Sequence, residues 1–407
     1  MLDYMMKQVP ITGVFEKALP VLETIQEAGF EAYYVGGSVR DALLGKDVND
    51  VDIATSAFPE EIKKLFKKTV DVGIEHGTVM VLMNDESYEV TTFRTESTYQ
   101  DFRRPDSVTF VRSLEEDLKR RDLTINAFAM DQTGDIQDFF GGERDLDEQV
   151  IRAVGKAEER FNEDALRMMR AVRFASQLGF HLEADTFYAI VVNAHLLENI
   201  AIERIRVEFV KMAMGKYVRQ GFTGFVETNL YAYCPGLVHA KDALENFAKV
   251  IEPIQRERQM WALLLYYLGI QREQEARAFL KHWRLSNQLL NQSADLHQLL
   301  LYRLNYEQTN ETVYRYSKEV ALDAETCLDL IEKPFDKKAV ENIDAALPIH
   351  SRKELAINGK IVMAENHLRG GRWLGDAIEA AERAVVKGDI ANETAEILDF
   401  LKKNDYV

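Results

Sequence analysis

Apolar and polar positions follow two successive regimes along the chain. Phe15 to Glu27 carries its apolar residues at helical spacing and stops at Gly29, which predicts an amphipathic helix. Tyr33-Tyr34-Val35 predicts a short strand running into Gly36-Gly37, and Ser38 to Leu44 predicts a helix stopped by Gly45. Val51 to Thr55 has β-branched strand character. Thr78 to Met83 and Tyr88 to Arg94 flank the polar stretch Asn84-Asp85-Glu86-Ser87 and predict a hairpin. Thr98 to Pro105 is polar and aromatic without a period and predicts a loop. Asp122 to Met130 predicts a helix or a strand behind the basic triplet Lys119-Arg120-Arg121.

Gly141-Gly142 punctuates the change of regime. From Ala157 onward helical periodicity dominates, with breaks at Pro235-Gly236 and Pro334, and no internal repeat or low-complexity segment interrupts it. The pattern predicts an α+β protein: a small α/β head of about 150 residues followed by a long all-α region.

Length and composition narrow the class. A chain of 407 residues exceeds one compact core and predicts roughly two to four units. With 46 % apolar residues and 8 prolines it reads as globular and ordered. Met1 to Thr12 has no basic stretch leading into an apolar run, so no signal peptide is expected. Trp261 to Ile270, the longest apolar run, falls short of the ~20 residues of a membrane span. The two cysteines, Cys234 and Cys327, are too few and too far apart for a disulfide scaffold or a zinc site. A cytoplasmic protein is the expectation.

The net charge of −17 argues against a general nucleic-acid binder, but the charge is uneven. The first 200 residues carry −15, residues 201–290 carry +4, and the remainder −6. A polyanion repelled by the average surface can follow the middle stretch, although +4 over such a length is also ordinary scatter.

Four short motifs carry chemistry. Gly36-Gly37-Ser38-Val39-Arg40-Asp41 places two glycines and an arginine between a strand and a helix, where backbone can approach phosphates closely. Taken alone this is more often a plain strand-to-helix turn. Asp50-Val51-Asp52 follows at the start of a strand, where positions i and i+2 face one way and two carboxylates can hold Mg²⁺ together with substrate phosphates. Lys119-Arg120-Arg121-Asp122 can hold triphosphate or RNA backbone, or can be a solvated turn. Glu163-Asp164-Ala165-Leu166-Arg167, continuing through Arg170 and Arg173, reads as a helix on which Asp164 and Arg167 lie about 60° apart. Arg170 lies a further 60° round, and Arg173 needs a neighbouring element to join them. The alternative is an exposed, salt-bridged stripe.

An Asp/Arg pair has a specific use. Cytosine and adenine both present an amino donor beside an unprotonated ring nitrogen, whereas guanine and uracil present a carbonyl beside a ring N–H. A carboxylate only accepts and a guanidinium only donates, so the pair matches C and A and mismatches G and U. Each unpaired buried polar group costs ~1–3 kcal/mol, so one pair can select two bases without a template.

In order and spacing these four motifs resemble those of the class II tRNA nucleotidyltransferases of the DNA polymerase beta superfamily. The resemblance is strong over residues 33–180, continues through Glu203-Arg204-Ile205, and returns at Leu355-Ala356-Ile357-Asn358-Gly359, where it is similar to the Gram-positive type of CCA enzyme. It implies a nucleotidyltransferase head over residues 1–150, then an all-α neck (151–215), body (216–305) and tail (306–407), the last two binding tRNA. It implies addition of C, C and A to the tRNA 3′ end from CTP and ATP with release of pyrophosphate. By the same resemblance Asp50 and Asp52 hold Mg²⁺ and are catalytic. Gly37, Arg40 and Arg121 contact the nucleotide, Asp164 and Arg167 read its base, and Arg170 and Arg173 support it. Glu89 is a candidate third carboxylate or a strand-edge charge. Bacterial poly(A) polymerases share the head motifs and are the nearest alternative. Enzymes adding only A or only CC come next, and the intact loop 98–105 argues against CC-only addition. A non-catalytic RNA- or nucleotide-binding module would have no need of paired metal carboxylates. Monomer and homodimer both remain open.

Overall fold

A computed structural model describes residues 8–96, 99–100, 104–105, 108–366 and 370–406. The chain divides into two compact units, Met1–Ala248 and Lys249–Val407. The division falls inside the stretch 216–305 expected as the body.

The first unit is built on a seven-stranded mixed sheet: β1 (Ala32–Val35), β2 (Asp52–Thr55), β3 (Thr69–Gly73), β4 (Thr78–Met83), β5 (Glu86–Thr92), β6 (Phe128–Met130) and β7 (Ile136–Asp138). The order across the sheet is β7-β6-β1-β2-β5-β4-β3. Only β2 and β5 pair in parallel, and their register sets Asp52 beside Glu89. The Val14–Glu27 helix buries Phe15, Ala18, Val21, Leu22 and Ile25 at helical spacing. It is tied to the sheet through Tyr34, whose ring meets Phe15 edge-on at 5.0 Å and whose hydroxyl donates to the Phe15 carbonyl at 2.6 Å.

The predicted hairpin is present, but its second strand starts at Glu86 rather than Tyr88. Asn84 and Asp85 both take positive φ, 53° and 61°, so a two-residue turn of the type suited to strand twist replaces the four-residue one. The stretch Asp122–Met130 resolves into one turn of 3₁₀ helix, Thr124–Asn126, and strand β6. Strands β3 and β7 and the Pro59–Leu65 helix were not foreseen. Half of the loop 98–105 lies outside the described residues; within it Tyr99–Gln100 pairs antiparallel with Arg104–Pro105.

Beyond Gly142 the first unit is helical, apart from Val150–Ile151 pairing in parallel with His181–Leu182. The helices Leu166–Leu178, Ile202–Ala213 and Val218–Glu227 meet along a seam of small residues. Ser176, fully buried, donates from Oγ to the Met212 carbonyl at 2.6 Å. Gly221 leaves no room beside Ser176 for a Cβ, which would also stand 3.0 Å from Met212 Cγ.

The second unit is all-α among its described residues. The apolar run predicted too short for a membrane is its core: Met260 to Leu265 is fully buried, and Trp261 lies 5.3 Å from Trp283. Polar groups inside it are paired. Asp323 receives Arg258 and Gln259, and Glu325 receives Arg303 and Gln308. Both cysteines are free and buried. No helix among the described residues is long and apolar enough to cross a membrane.

The seam fixes the spacing of two helices that wall the site described next. Gly221→Ala forces a methyl group against Ser176 and should destabilise the chain by about 1–3 kcal/mol, the usual cost of overpacking. Urea unfolding of the two proteins measures this. An unchanged midpoint would show that the seam has slack.

Candidate active site

Strand β1 ends at Val35 and the chain turns sharply at Gly36, with φ 74°, into the short helix Gly37–Leu43. A Cβ on Gly36 would stand 3.2 Å from Arg121 Nη1, so the bare backbone here admits a guanidinium from a distant loop. Arg40 folds back from the helix. Its guanidinium donates to both Asp41 carboxylate oxygens at 3.0 Å and to Asn126 Oδ1 at 2.6 Å, and its carbon lies 4.9 Å from the Phe174 ring.

This turn opens onto a cavity of about 700 Å³ within the first unit. Gly37, Arg40, Asp52, Arg121, Asp164, Arg167, Arg170 and Arg173 all line it, so eight of the nine sequence-predicted site residues converge. Asp50 does not line it. The strand begins only at Asp52, and Asp50 lies exposed before it, accepting from the Val51 N–H at 2.9 Å. Strand alternation therefore does not bring the two carboxylates together; proximity across one residue of loop does. Glu89 lines the cavity too, directly opposite Asp52 in the sheet.

The Asp52 carboxyl is raised above the usual carboxylate range. Withdrawal from water is the first cause, the Glu89 and Asp50 charges add to it, and Arg121 opposes it. Among the described residues no three metal-type ligands form a ready-made cluster. The donor set still suits a hard divalent cation. All its ligands are carboxylate oxygens, and the excess negative charge that raises Asp52 is the charge such an ion neutralises.

The basic triplet is held by a carboxylate that sequence reading passed over. Asp117, almost wholly buried, pairs with Arg120 at 2.8 Å and Arg121 at 3.4 Å, and accepts from the Arg94 N–H. Burial works to raise its carboxyl, but the Arg120 and Arg121 charges hold it below the usual range. The i,i+3 and i,i+4 spacing to those arginines was visible in the sequence. The Arg121 Nε is buried without a hydrogen-bond partner.

Asp122 points the other way. It accepts from Arg170 Nε at 2.6 Å, from Asn126 Nδ2 at 3.2 Å and from the Leu123 N–H at 2.8 Å. Burial opposes its ionisation, yet the Arg170 charge and hydrogen bond hold it far below the usual range. Asn126 thus links Arg40 to Asp122, and Asp122 links onward to Arg170.

The helix expected from Glu163 through Arg173 is broken. One helix ends at Glu163, Asp164 takes an extended conformation (φ −138°, ψ 104°), and the next runs from Leu166 to Leu178. Asp164 accepts from the Leu166 N–H at 3.0 Å, a local bond that competes with continuous helix. It is therefore not a helix-face partner of Arg167. Its cation is Arg204, at 2.8 Å. Arg167 instead donates to Glu163 at 2.7 Å and to the Arg120 carbonyl at 2.9 Å. The neighbouring element that Arg173 needed is the Ile202–Ala213 helix, which supplies Glu208 at 2.6 Å. Burial first, with Glu208 opposing, brings Arg173 down to about 10, still protonated at neutral pH. Arg173 and Arg170 flank the Phe174 ring at 3.9 and 5.7 Å.

Three family models match the chain in succession. The Poly A polymerase head domain matches residues 32–152, the probable RNA and SrmB-binding site of polymerase A residues 179–241, and a putative tRNA nucleotidyltransferase domain 2 residues 252–401. The CCA-adding enzyme of Enterococcus faecalis is 52 % identical over 98 % of both chains, and that of Ligilactobacillus salivarius 49 % over 97 % of both. The crystal structure of the Bacillus stearothermophilus CCA-adding enzyme in complex with CTP superposes with a TM-score of 0.89 at 42 % identity, covering 97 % of this chain and 98 % of that one. The Thermotoga maritima CCA-adding enzyme complexed with tRNA shares the fold, with a TM-score of 0.63 at 22 % identity.

The Asp122–Arg170 pair makes a testable contribution to stability. Asp122→Asn leaves Arg170, whose side chain is 35 % exposed, without its buried counter-charge, which should cost about 1–3 kcal/mol at neutral pH. The Asp122 carboxyl is lowered in the folded chain, so its stabilisation is complete above the unfolded-state value of ~3.9 and disappears as pH falls below it. Urea melts from pH 7 to pH 3 should show the gap between the two proteins constant at the top of this range and shrinking at the bottom. A gap that is constant throughout would mean that the pair does not titrate with folding.

Proposed function

This chain belongs to the CCA-adding enzymes, and from that premise we propose how its own residues build the CCA end of tRNA from CTP and ATP. The observation that carries the reading is the single cavity in which Asp52, the Gly36-Gly37 turn and the Asp164/Arg167 region face one another. The tRNA 3′-hydroxyl attacks the α-phosphorus of the bound nucleotide. One P–O bond to the RNA forms, the bond to the β-phosphate bridging oxygen breaks, and pyrophosphate leaves.

Asp52 and Asp50 are assigned as the holders of divalent metal, taken to be Mg²⁺, with Glu89 placed to join them. Bound there, the metal would lower the pKa of the attacking hydroxyl and offset charge on the leaving group. Gly37, Arg40, Arg121, Arg170 and Arg173 surround the triphosphate. Asp117, Asp122 and Glu208 hold several of these guanidiniums in place before substrate arrives, so little reorganisation is needed on binding.

Asp164 and Arg167 read the base. A carboxylate has about four acceptor sites. The Leu166 N–H and Arg204 use part of this capacity and aim the carboxylate, and the rest accepts from the amino group of C or A. Arg167 retains donors beyond those given to Glu163 and Arg120. We further assign base reading to the neck, residues 151–215, and tRNA contact to the body (216–305) and tail (306–407), with work in the cytoplasm.

The direct assay supplies tRNA lacking its CCA end with CTP, ATP and Mg²⁺. Growth by three nucleotides supports the reading, whereas an open-ended tail with ATP alone would support a poly(A) polymerase. Asp52→Asn should cut turnover to below about one-hundredth while its melting temperature holds or rises at pH 7, because a carboxyl raised in the fold is a destabilising charge there. Turnover of more than a few per cent would remove Asp52 from the metal site.

Base choice has its own test. Asp164→Ala should lower discrimination against UTP and GTP roughly ten- to a hundredfold in kcat/KM, whereas Arg167→Ala should weaken CTP and ATP use with less gain for the wrong bases. Unchanged nucleotide ratios together with a lower melting temperature would make the Asp164–Arg204 pair purely structural.

A further inference from the structure

The cavity has a cation that none of these roles uses. The Leu166–Leu178 and Ile202–Ala213 helices advance side by side in the same sense, since Asp164 meets Arg204, Arg173 meets Glu208 and Ser176 meets Met212 in order. The groove between them therefore has a direction. Its start is the base-reading end at Asp164 and Arg204. Lys211 and Gln177, which both line the cavity, mark the other end. From Arg204 to Lys211 the helix rises about 10 Å at ~1.5 Å per residue. Arg40, packed over Phe174, stands between the two ends and brings the Gly36-Gly37 turn with it.

Every arginine lining the cavity already has a partner in the protein. Arg40 pairs with Asp41, Arg120 and Arg121 with Asp117, Arg167 with Glu163, Arg170 with Asp122, Arg173 with Glu208 and Arg204 with Asp164. Arg94 donates to the His76 carbonyl. Lys211 differs. It is exposed, and no ion pair or hydrogen bond to it occurs among the described residues. A lysine ammonium is a compact charge with three rotatable donors on a flexible stem, suited to a terminal phosphate whose oxygens have no fixed orientation.

We propose that Lys211, on the cavity wall that Gln177 also lines, receives the terminal phosphate of the incoming nucleoside triphosphate and holds the pyrophosphate until it departs. A nucleotide with its base at Asp164 and its α-phosphate at Asp52 runs along the groove past the glycine turn and Arg40, and its far phosphates arrive at Lys211. The contact is blind to the base, so it serves CTP and ATP equally. The inference rests on the functional reading above and goes beyond it in assigning the leaving-group end of the site.

The test uses the full chain, its Lys211→Ala variant and its Lys211→Arg variant. CTP, ATP, CMP and pyrophosphate binding are measured by calorimetry, and KM and kcat with tRNA lacking CCA. Lys211→Ala should weaken CTP, ATP and pyrophosphate by about tenfold each, leave CMP unchanged, and preserve the ratio of CTP to ATP affinity. Lys211→Arg should restore most of the loss. Equal weakening of CMP and CTP would place Lys211 at the nucleoside instead, a rise confined to the KM for tRNA would make it an RNA contact, and no change would make it a solvated surface lysine. Each of these overturns the proposal while wild-type turnover leaves the functional reading intact. A wild-type chain that bound neither CTP nor ATP would overturn both.

Discussion

The ion pair between buried Asp122 and half-buried Arg170 is the interaction on which the rest of the site depends. Three pieces of chain far apart in sequence must meet to make the cavity: the glycine turn after β1, the basic segment after Lys119, and the helix beginning at Leu166. Asp122 contacts the third directly and reaches the first through Asn126 and Arg40. A charged pair in a low-dielectric setting is strong only when its remaining hydrogen-bonding capacity is met, and Asp122 meets it with the Leu123 N–H and Asn126. The geometry that brings Arg40 against Phe174 follows from this chain of contacts. So does the register of Arg120 against Arg167.

The same logic reconciles an acidic protein with an anionic substrate. The chain carries −17 overall, yet its cavity is lined by eight arginines and one lysine. Uncompensated, such a cluster would repel itself. Asp117, Asp122, Glu163, Glu208 and Asp164 each answer one or two of these guanidiniums. With Asp41, Asp52 and Glu89 they set eight carboxylates against these nine cations, and the arginines are already oriented when a triphosphate arrives. Local carboxylates, not net charge, set the field that a ligand meets.

What could be read from sequence divides along the range of the interactions. The motifs around Gly37, Asp52, Arg121 and Arg170 were legible because each is a short run carried by one turn, one strand end or one helix. The sheet was legible where β-branched and aromatic runs were bounded by turns, as at β1, β2 and β4, and not at the three-residue strand β7. The reading of Asp164 and Arg167 as neighbours on one helix face failed for a local reason. Asp accepts from the backbone two residues on, which competes with helix and separates Glu163 from Leu166. The Asp50–Asp52 alternation failed because the strand starts one residue later than the β-branched run suggested. Partners such as Arg204 for Asp164 and Glu208 for Arg173 come from a helix some forty residues away, and periodicity within one segment contains no information about them.

For the base-reading role proposed for Asp164, the break in the helix changes how the carboxylate is aimed. A carboxylate in mid-helix would be aimed by its own backbone, and its position would be fixed by the helix as a whole. Here Asp164 sits between two helices and is aimed by the Leu166 N–H and by Arg204, which belongs to a third. Arg167 is anchored separately, to Glu163 behind it and to the carbonyl of Arg120 in the head. The two side chains thus have different partners, while the Arg167 N–H donates to the Asp164 carbonyl at 3.0 Å and keeps their backbones together. In the proposed role, a site that takes a pyrimidine and a purine by one donor–acceptor pattern would adjust at the side chains of this pair. In that role the larger ring system would displace the reading edge, and side chains with separate partners would follow it while keeping the hydrogen bonds that exclude G and U.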